Sequence, residues 1–122
     1  MTRDLSEREK VWVALSDLFL DTDVTLHFDY IERVLLAAPM TLEDIDVILR
    51  DEVAPVCLPN LYSVAGEWTG FSEDWLIARI ETYLAKPVWL RRLGRKKREW
   101  QLCQMVPEWP CLRARIAAKR AG

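Results

Sequence analysis

Histidine occurs once in this sequence, as His27. A Ser-His-Asp triad or a His/Cys zinc site would depend on that one imidazole, and neither is expected. Cysteine is sparse as well: Cys57, Cys103 and Cys111 are widely spaced and form no CxxC pair. They read as buried free thiols, with a disulfide or a metal site as the alternative. No apolar run approaches the ~20 residues needed to cross a bilayer, so no membrane partner is expected. The opening MTRDLSEREK is polar and has no signal-peptide core, which makes the cytoplasm the expected location. Internal repeats and strongly alternating strand patterns are missing too, which argues against repeat and β architectures.

Charge, by contrast, is plentiful and sorted along the chain. Residues 1–85 carry 17 acidic and 6 basic side chains, a net of −11. Residues 86–122 carry 2 acidic and 11 basic ones, a net of +9. The overall −2 conceals two opposite potential surfaces, an acidic one for a basic partner and a basic one for an anionic partner. With 122 residues the chain should form one domain, an acidic body over 1–85 followed by a basic segment over 86–122. A chain of this size buries roughly two-thirds of its unfolded surface and needs no metal or disulfide to fold. The six tryptophans predict a tryptophan-rich core, with one or two indoles on a binding surface as the alternative.

Local patterns predict an all-α single compact bundle of about five or six helices. Ser6 and Glu9 have capping-box spacing, and Val11, Trp12, Leu15, Leu18 and Phe19 follow on one stripe, giving a helix over 5–19. Phe28, Ile31, Val34 and Leu35 mark a second helix over 26–37, ended by Pro39. Thr41 and Asp44 cap a third, with Leu42, Ile45, Ile48 and Leu49 inward. From Ala54 to Phe71, the breakers Pro55, Pro59, Asn60, Gly66 and Gly70 predict a long apolar central loop. Ser72 is the expected N-cap of a helix that buries Leu76, Ile77, Ile80, Tyr83 and Leu84. A short helix before Gly94, a helix over 95–105 and a last one over 110–119 complete the bundle. The last places Trp109, Leu112 and Ile116 inward.

Several clusters carry side chains capable of chemistry or binding. Asp21, Asp23, Thr25, Asp29 and Glu32 fall at positions 1, 3, 5, 9 and 12 of a calcium-loop spacing. Leu26 stands where that loop needs glycine, so the expectation is a solvated acidic turn and helix start without metal. Asp17, Asp21 and Asp23 do not by themselves make a two-metal site. The run Arg91, Arg92, Arg95, Lys96, Lys97 and Arg98, followed by Trp100, is the nucleic-acid candidate: cations neutralise phosphates and an indole stacks on an unpaired base. The competing reading of that run is internal, with the acidic body receiving the basic segment. Asp17, Asp21, Asp23, Glu43, Asp46, Val47, Asp51, Glu67 and Trp68 are the candidate protein-contact residues. Among them Val47 is an apolar side chain on a charged helix face.

The stretch DEVAPVCLPNLYSVAGEWTGFSEDWL, residues 51–76, combines with EREKVWVALSDLFLDTDV near the start. Over most of residues 5–85 this chain resembles a small bacterial domain family of unknown function, found mainly in proteobacteria, with the pattern ALSDLFLDT, EVAPV, PNL and VAGEW.GF. The resemblance implies a short stand-alone domain and brings no catalytic residue or cofactor. It draws attention to Pro59, Asn60, Leu61 and residues 64–68 as a shaped segment. The functional expectation is a non-enzymatic bacterial interaction protein. Its most concrete form is an immunity-type inhibitor that blocks a cognate basic toxin through its acidic face. The alternative is a nucleic-acid-binding accessory protein using residues 91–100.

Overall fold

The computed structural model describes residues 5–20, 23–61 and 71–122. Among them every regular element is helical. α1 (Glu7–Ser16) opens on the capping box: Ser6 Oγ accepts from the Glu9 N–H at 3.2 Å, and the Glu9 carboxylate accepts from the Ser6 N–H at 2.9 Å. The helix tightens into a 3₁₀ turn over Asp17–Phe19. A second 3₁₀ turn (Val24–His27) leads into α2 (Phe28–Ala37), and Ala38 is extended, as the residue before Pro39 must be. α3 (Leu42–Ile48) starts on the Thr41–Asp44 capping box.

The helix does not stop where the prolines suggest. Leu49–Val53 forms a π turn in which the Ala54 N–H donates to the Leu49 carbonyl, and α4 (Ala54–Leu61) follows directly. Pro55 has no N–H to donate, so the wide turn ahead of it absorbs the missing bond, and Pro59 is carried inside the helix. The first eight residues of the expected loop, Ala54–Leu61, are therefore helical, and residues 62–70 lie outside the described residues. Asn60 ties the end of α4 to α1's side by donating to the Phe19 carbonyl at 2.9 Å.

α5 (Glu73–Leu84) starts on Ser72 as its N-cap, as expected, although the Ser72 side chain makes no cap bond. α6 (Val88–Arg92) and α7 (Arg95–Met105) are separated at Gly94, which adopts φ +75° and frees the turn for a left-handed residue. α8 (Glu108–Ala121) starts two residues before the expected Pro110. That proline sits in the first turn, where its missing N–H breaks no helical bond. Because α3, the π turn and α4 run on without a break, the described residues make seven continuous rods.

α1 packs against α2, α5 and the π turn, α8 lies on α2, and α7 lies on α4 and the π turn. The core between them is aliphatic, built from Leu15, Leu18, Phe19, Ile31, Leu35, Ile45, Ile48, Leu76, Ile77, Ile80, Leu112 and Ile116. The tryptophan-rich core does not materialise. Among the described residues Trp12 and Trp109 are buried, while Trp75, Trp89 and Trp100 are exposed. The reason is polar: each buried indole needs an acceptor, and the π-turn rod supplies two. Trp12 Nε1 donates to Glu52 at 2.8 Å and Trp109 Nε1 to Asp46 at 2.9 Å. Of the cysteines only Cys57 is buried, and burial raises its thiol pKa. Cys103 and Cys111 are exposed free thiols, against expectation.

Glu52 is almost fully buried and also accepts from Arg8. Replacing it with alanine orphans the Trp12 N–H and should cost about 1–3 kcal/mol in urea unfolding. Glu52→Gln keeps an acceptor for the indole and should lose less; equal losses would show that the indole bond contributes nothing.

Candidate functional site

The acids of the first half and the cations of the second meet inside the molecule. Arg113 Nε lies 3.1 and 3.0 Å from the two Asp46 oxygens, and its Nη2 lies 3.8 Å from Glu43. Arg115 and Lys119 both pair with Glu32, which is buried between α2 and α8. Arg115 also lies 3.6 Å from Asp29 and stacks over Phe28. Arg120 reaches the end of α2 and donates to the carbonyls of Leu35, Ala38 and Met40. The Leu35 and Ala38 carbonyls end a helix and carry its negative pole, so a guanidinium both satisfies and neutralises them.

Asp51 is the centre of a second cluster. Arg50 grips it in a bidentate pair at 2.9 and 2.8 Å, and Arg95 Nε and Arg98 Nη2 stand at 4.0 and 3.9 Å. Burial pushes the Asp51 carboxyl pKa up, but the Arg50 hydrogen bonds and the charges of Arg50, Arg95 and Arg98 outweigh it and hold it below the ordinary value. Arg50 sits within the acidic half and was not among the sequence candidates. Its neighbour Asp51 was the available signal.

The remaining protein-contact candidates scatter. Asp17 is mostly buried, with Oδ2 at 3.2 Å from His27 Nδ1; burial raises its carboxyl pKa and His27 partly offsets that. Asp23 is exposed and caps the second 3₁₀ turn, accepting from Thr25 N at 3.1 Å and Thr25 Oγ1 at 2.6 Å. Val47 is exposed at 42%. Asp21, Glu67 and Trp68 lie outside the described residues. Of the calcium-type set, Glu32, expected in a solvated acidic stretch, is instead buried against α8 and engaged by two cations. Among the described residues no group of three or more His, Cys, Asp or Glu is arranged to hold a metal ion.

The basic candidates divide by role. Arg98 is largely buried and donates to the carbonyls of Leu93 and Arg91, fixing the α6–α7 turn. Arg91 donates to the Lys86 carbonyl at 3.0 Å, and its own carbonyl also accepts from Tyr83 Oη. Arg92, Lys96, Lys97 and Trp100 are exposed, and Arg95 is half-exposed above Asp51. Trp89 and Trp100 are among the most exposed large apolar groups, at 67% and 63%. Trp89 was not a sequence candidate, although Trp89, Arg92 and Leu93 have the spacing of one helix face.

The family model for a domain of unknown function, DUF7079, matches residues 6–115. The chain belongs to this family. The DUF7079 match runs from the first capping box into α8, so the acidic rod and the basic helices that cover it are parts of one domain. No curated protein and no solved structure matches the chain. Among the described residues no helix is long and apolar enough to cross a membrane.

The depressed Asp51 pKa fixes the sign of a pH effect. Its pairing is complete above the ordinary aspartate value of about 3.9 and is lost as pH falls through the lower folded value. The stability difference between wild type and Asp51→Asn, from urea midpoints, should therefore be larger at pH ~6 than at pH ~3. A difference that is constant or grows on acidification contradicts the assigned pairing.

Proposed function

We propose that this domain is a non-enzymatic binding protein whose contact surface is the α6–α7 corner and whose partner is single-stranded nucleic acid. The observation that carries it is the outer face of α7, where Lys96 and Lys97 precede exposed Trp100 by one helical turn. Arg92 and Trp89 extend that surface onto α6. Indoles standing in water with cations beside them suit a strand with unpaired bases: phosphates meet the cations, and bases stack on the rings for roughly 1–3 kcal/mol each. The acids of the rod do not oppose this surface, since Asp46 and Asp51 are held by Arg113 and Arg50. A bacterial cytoplasmic setting goes with this reading.

The competing reading is the immunity-type inhibitor that blocks a basic toxin. It would draw on acids that stay exposed, such as Asp23, Glu43 and the α5 acids Glu73, Asp74 and Glu81, because Asp46 and Asp51 are already engaged by arginines. Binding of a fluorescent oligonucleotide at several salt concentrations separates the two. A footprint of about three phosphates predicts a log–log salt slope near −2, shallower in Lys96→Gln/Lys97→Gln. Trp100→Ala should weaken binding about tenfold. No binding at low salt, together with protection of cells against a genetically adjacent toxin, would replace this proposal with the inhibitor.

A further inference from the structure

A cleft of about 390 Å³ opens where the π turn meets α6 and α7. Five arginines line it, Arg50, Arg91, Arg92, Arg95 and Arg98, around the single carboxylate of Asp51. Glu99 adds a second carboxylate, 3.4 Å from Arg50 and 3.9 Å from Arg95. Five positive charges against two negative ones leave a surplus of three. The side chains of Val47 and Val88 complete the lining with an apolar wall.

Three further features converge on the same place. α7 begins here on Gly94, which offers no capping side chain, and no acidic residue stands in its first turn. Helix N-termini carry positive partial charge and favour acids, yet this one opens Arg95-Lys96-Lys97-Arg98. Such a break with local preference marks a position where an anion completes the electrostatics. Second, the buried Nε atoms of Arg95 and Arg98 have no hydrogen-bond acceptor. Third, the far side of the cleft is the π turn carrying Arg50 and Asp51, a helix irregularity of the kind frequent at functional sites.

We infer that this cleft binds the phosphate group of a phosphomonoester, with guanidiniums on its oxygens and the esterified organic part against Val47 and Val88. A dianion offsets most of the surplus of three, and guanidinium forks suit phosphate oxygens in pairs. The volume falls in the range of small-molecule sites and exceeds what a bare anion needs. Asp51 keeps the guanidiniums gathered and at the same time repels the ligand, so it limits affinity. The phosphate can come from the end of a nucleic-acid strand or from a free phosphorylated small molecule, and the chemistry of capture is the same. The cleft shares Arg92 with the strand-binding face proposed above, but the inference rests on the cleft's own lining.

The test uses the full chain and two probes. In the first arm, inorganic phosphate is compared with chloride at equal ionic strength, and thermal unfolding is followed for wild type, Arg92→Gln/Arg95→Gln and Asp51→Asn. Salting-out by phosphate acts alike on all three, so the readout is the difference between them. Wild type should gain more than the arginine variant, and Asp51→Asn, measured against its own chloride baseline, should gain most. Equal gains in all three overturn the inference. The two arginines are exposed or half-exposed, and circular dichroism checks that the variant is folded. In the second arm, 5′-phosphorylated and 5′-hydroxyl oligonucleotides of one sequence are compared. Tighter binding of the phosphorylated strand by about tenfold, lost in the arginine variant, identifies a strand terminus as the source. Phosphate-specific stabilisation without strand binding supports the cleft and its small-molecule source while removing the nucleic-acid proposal. Strand binding with no end preference and no phosphate-specific gain does the reverse.

Discussion

The fold depends on carboxylates that stand along one continuous rod and are met by cations from other parts of the chain. Asp46, Asp51 and Glu52 sit on the continuous α3–π–α4 helix. Asp46 receives Trp109 and Arg113 from α8; Glu52 receives Trp12 and Arg8 from α1. Asp51 faces Arg95 and Arg98 of α7. A buried or half-buried carboxylate without these partners would be costly, so each pair specifies which helix lies where as well as stabilising it. The π turn contributes to this arrangement by carrying Asp51 toward α7 and Glu52 toward α1 on successive residues.

The charge asymmetry of the sequence becomes intelligible in this light. Much of the basic excess after residue 85 is consumed internally, by Asp46, Asp51, Glu32 and the carbonyls at the end of α2. What is left over collects at α6–α7, the part of the basic segment that least buries itself: neither helix has a buried residue. The same corner keeps two tryptophans in solvent, although the two buried indoles show that acceptors are at hand elsewhere in the fold. Among the described residues, this corner thus combines exposed indoles with unpaired surface cations.

Elements decided by neighbouring residues were readable in the sequence. The two capping boxes need only three-residue spacing, and both are present. The stripes of α5 and α8 and the break at Gly94 are equally local. The passage through Pro55 was not readable, because a π turn accommodates it and no composition rule signals such a turn. Tryptophan burial failed for a related reason: whether an indole goes inside depends on an acceptor from a distant segment. Trp109 finds Asp46 across 63 positions of sequence, and Arg113 finds it across 67. Internal charge matching was one of the two readings of the basic run, but which arginine meets which acid is fixed only by packing.

The claim that the basic end neutralises the acidic rod is tested most directly by a double-mutant cycle on Asp46 and Arg113, with unfolding free energies for Asp46→Ala, Arg113→Ala and the pair. A half-exposed, hydrogen-bonded ion pair predicts a coupling of about 0.5–1 kcal/mol. Strictly additive losses would mean that Asp46 and Arg113 do not couple and would contradict the neutralisation of the rod by α8 at this position.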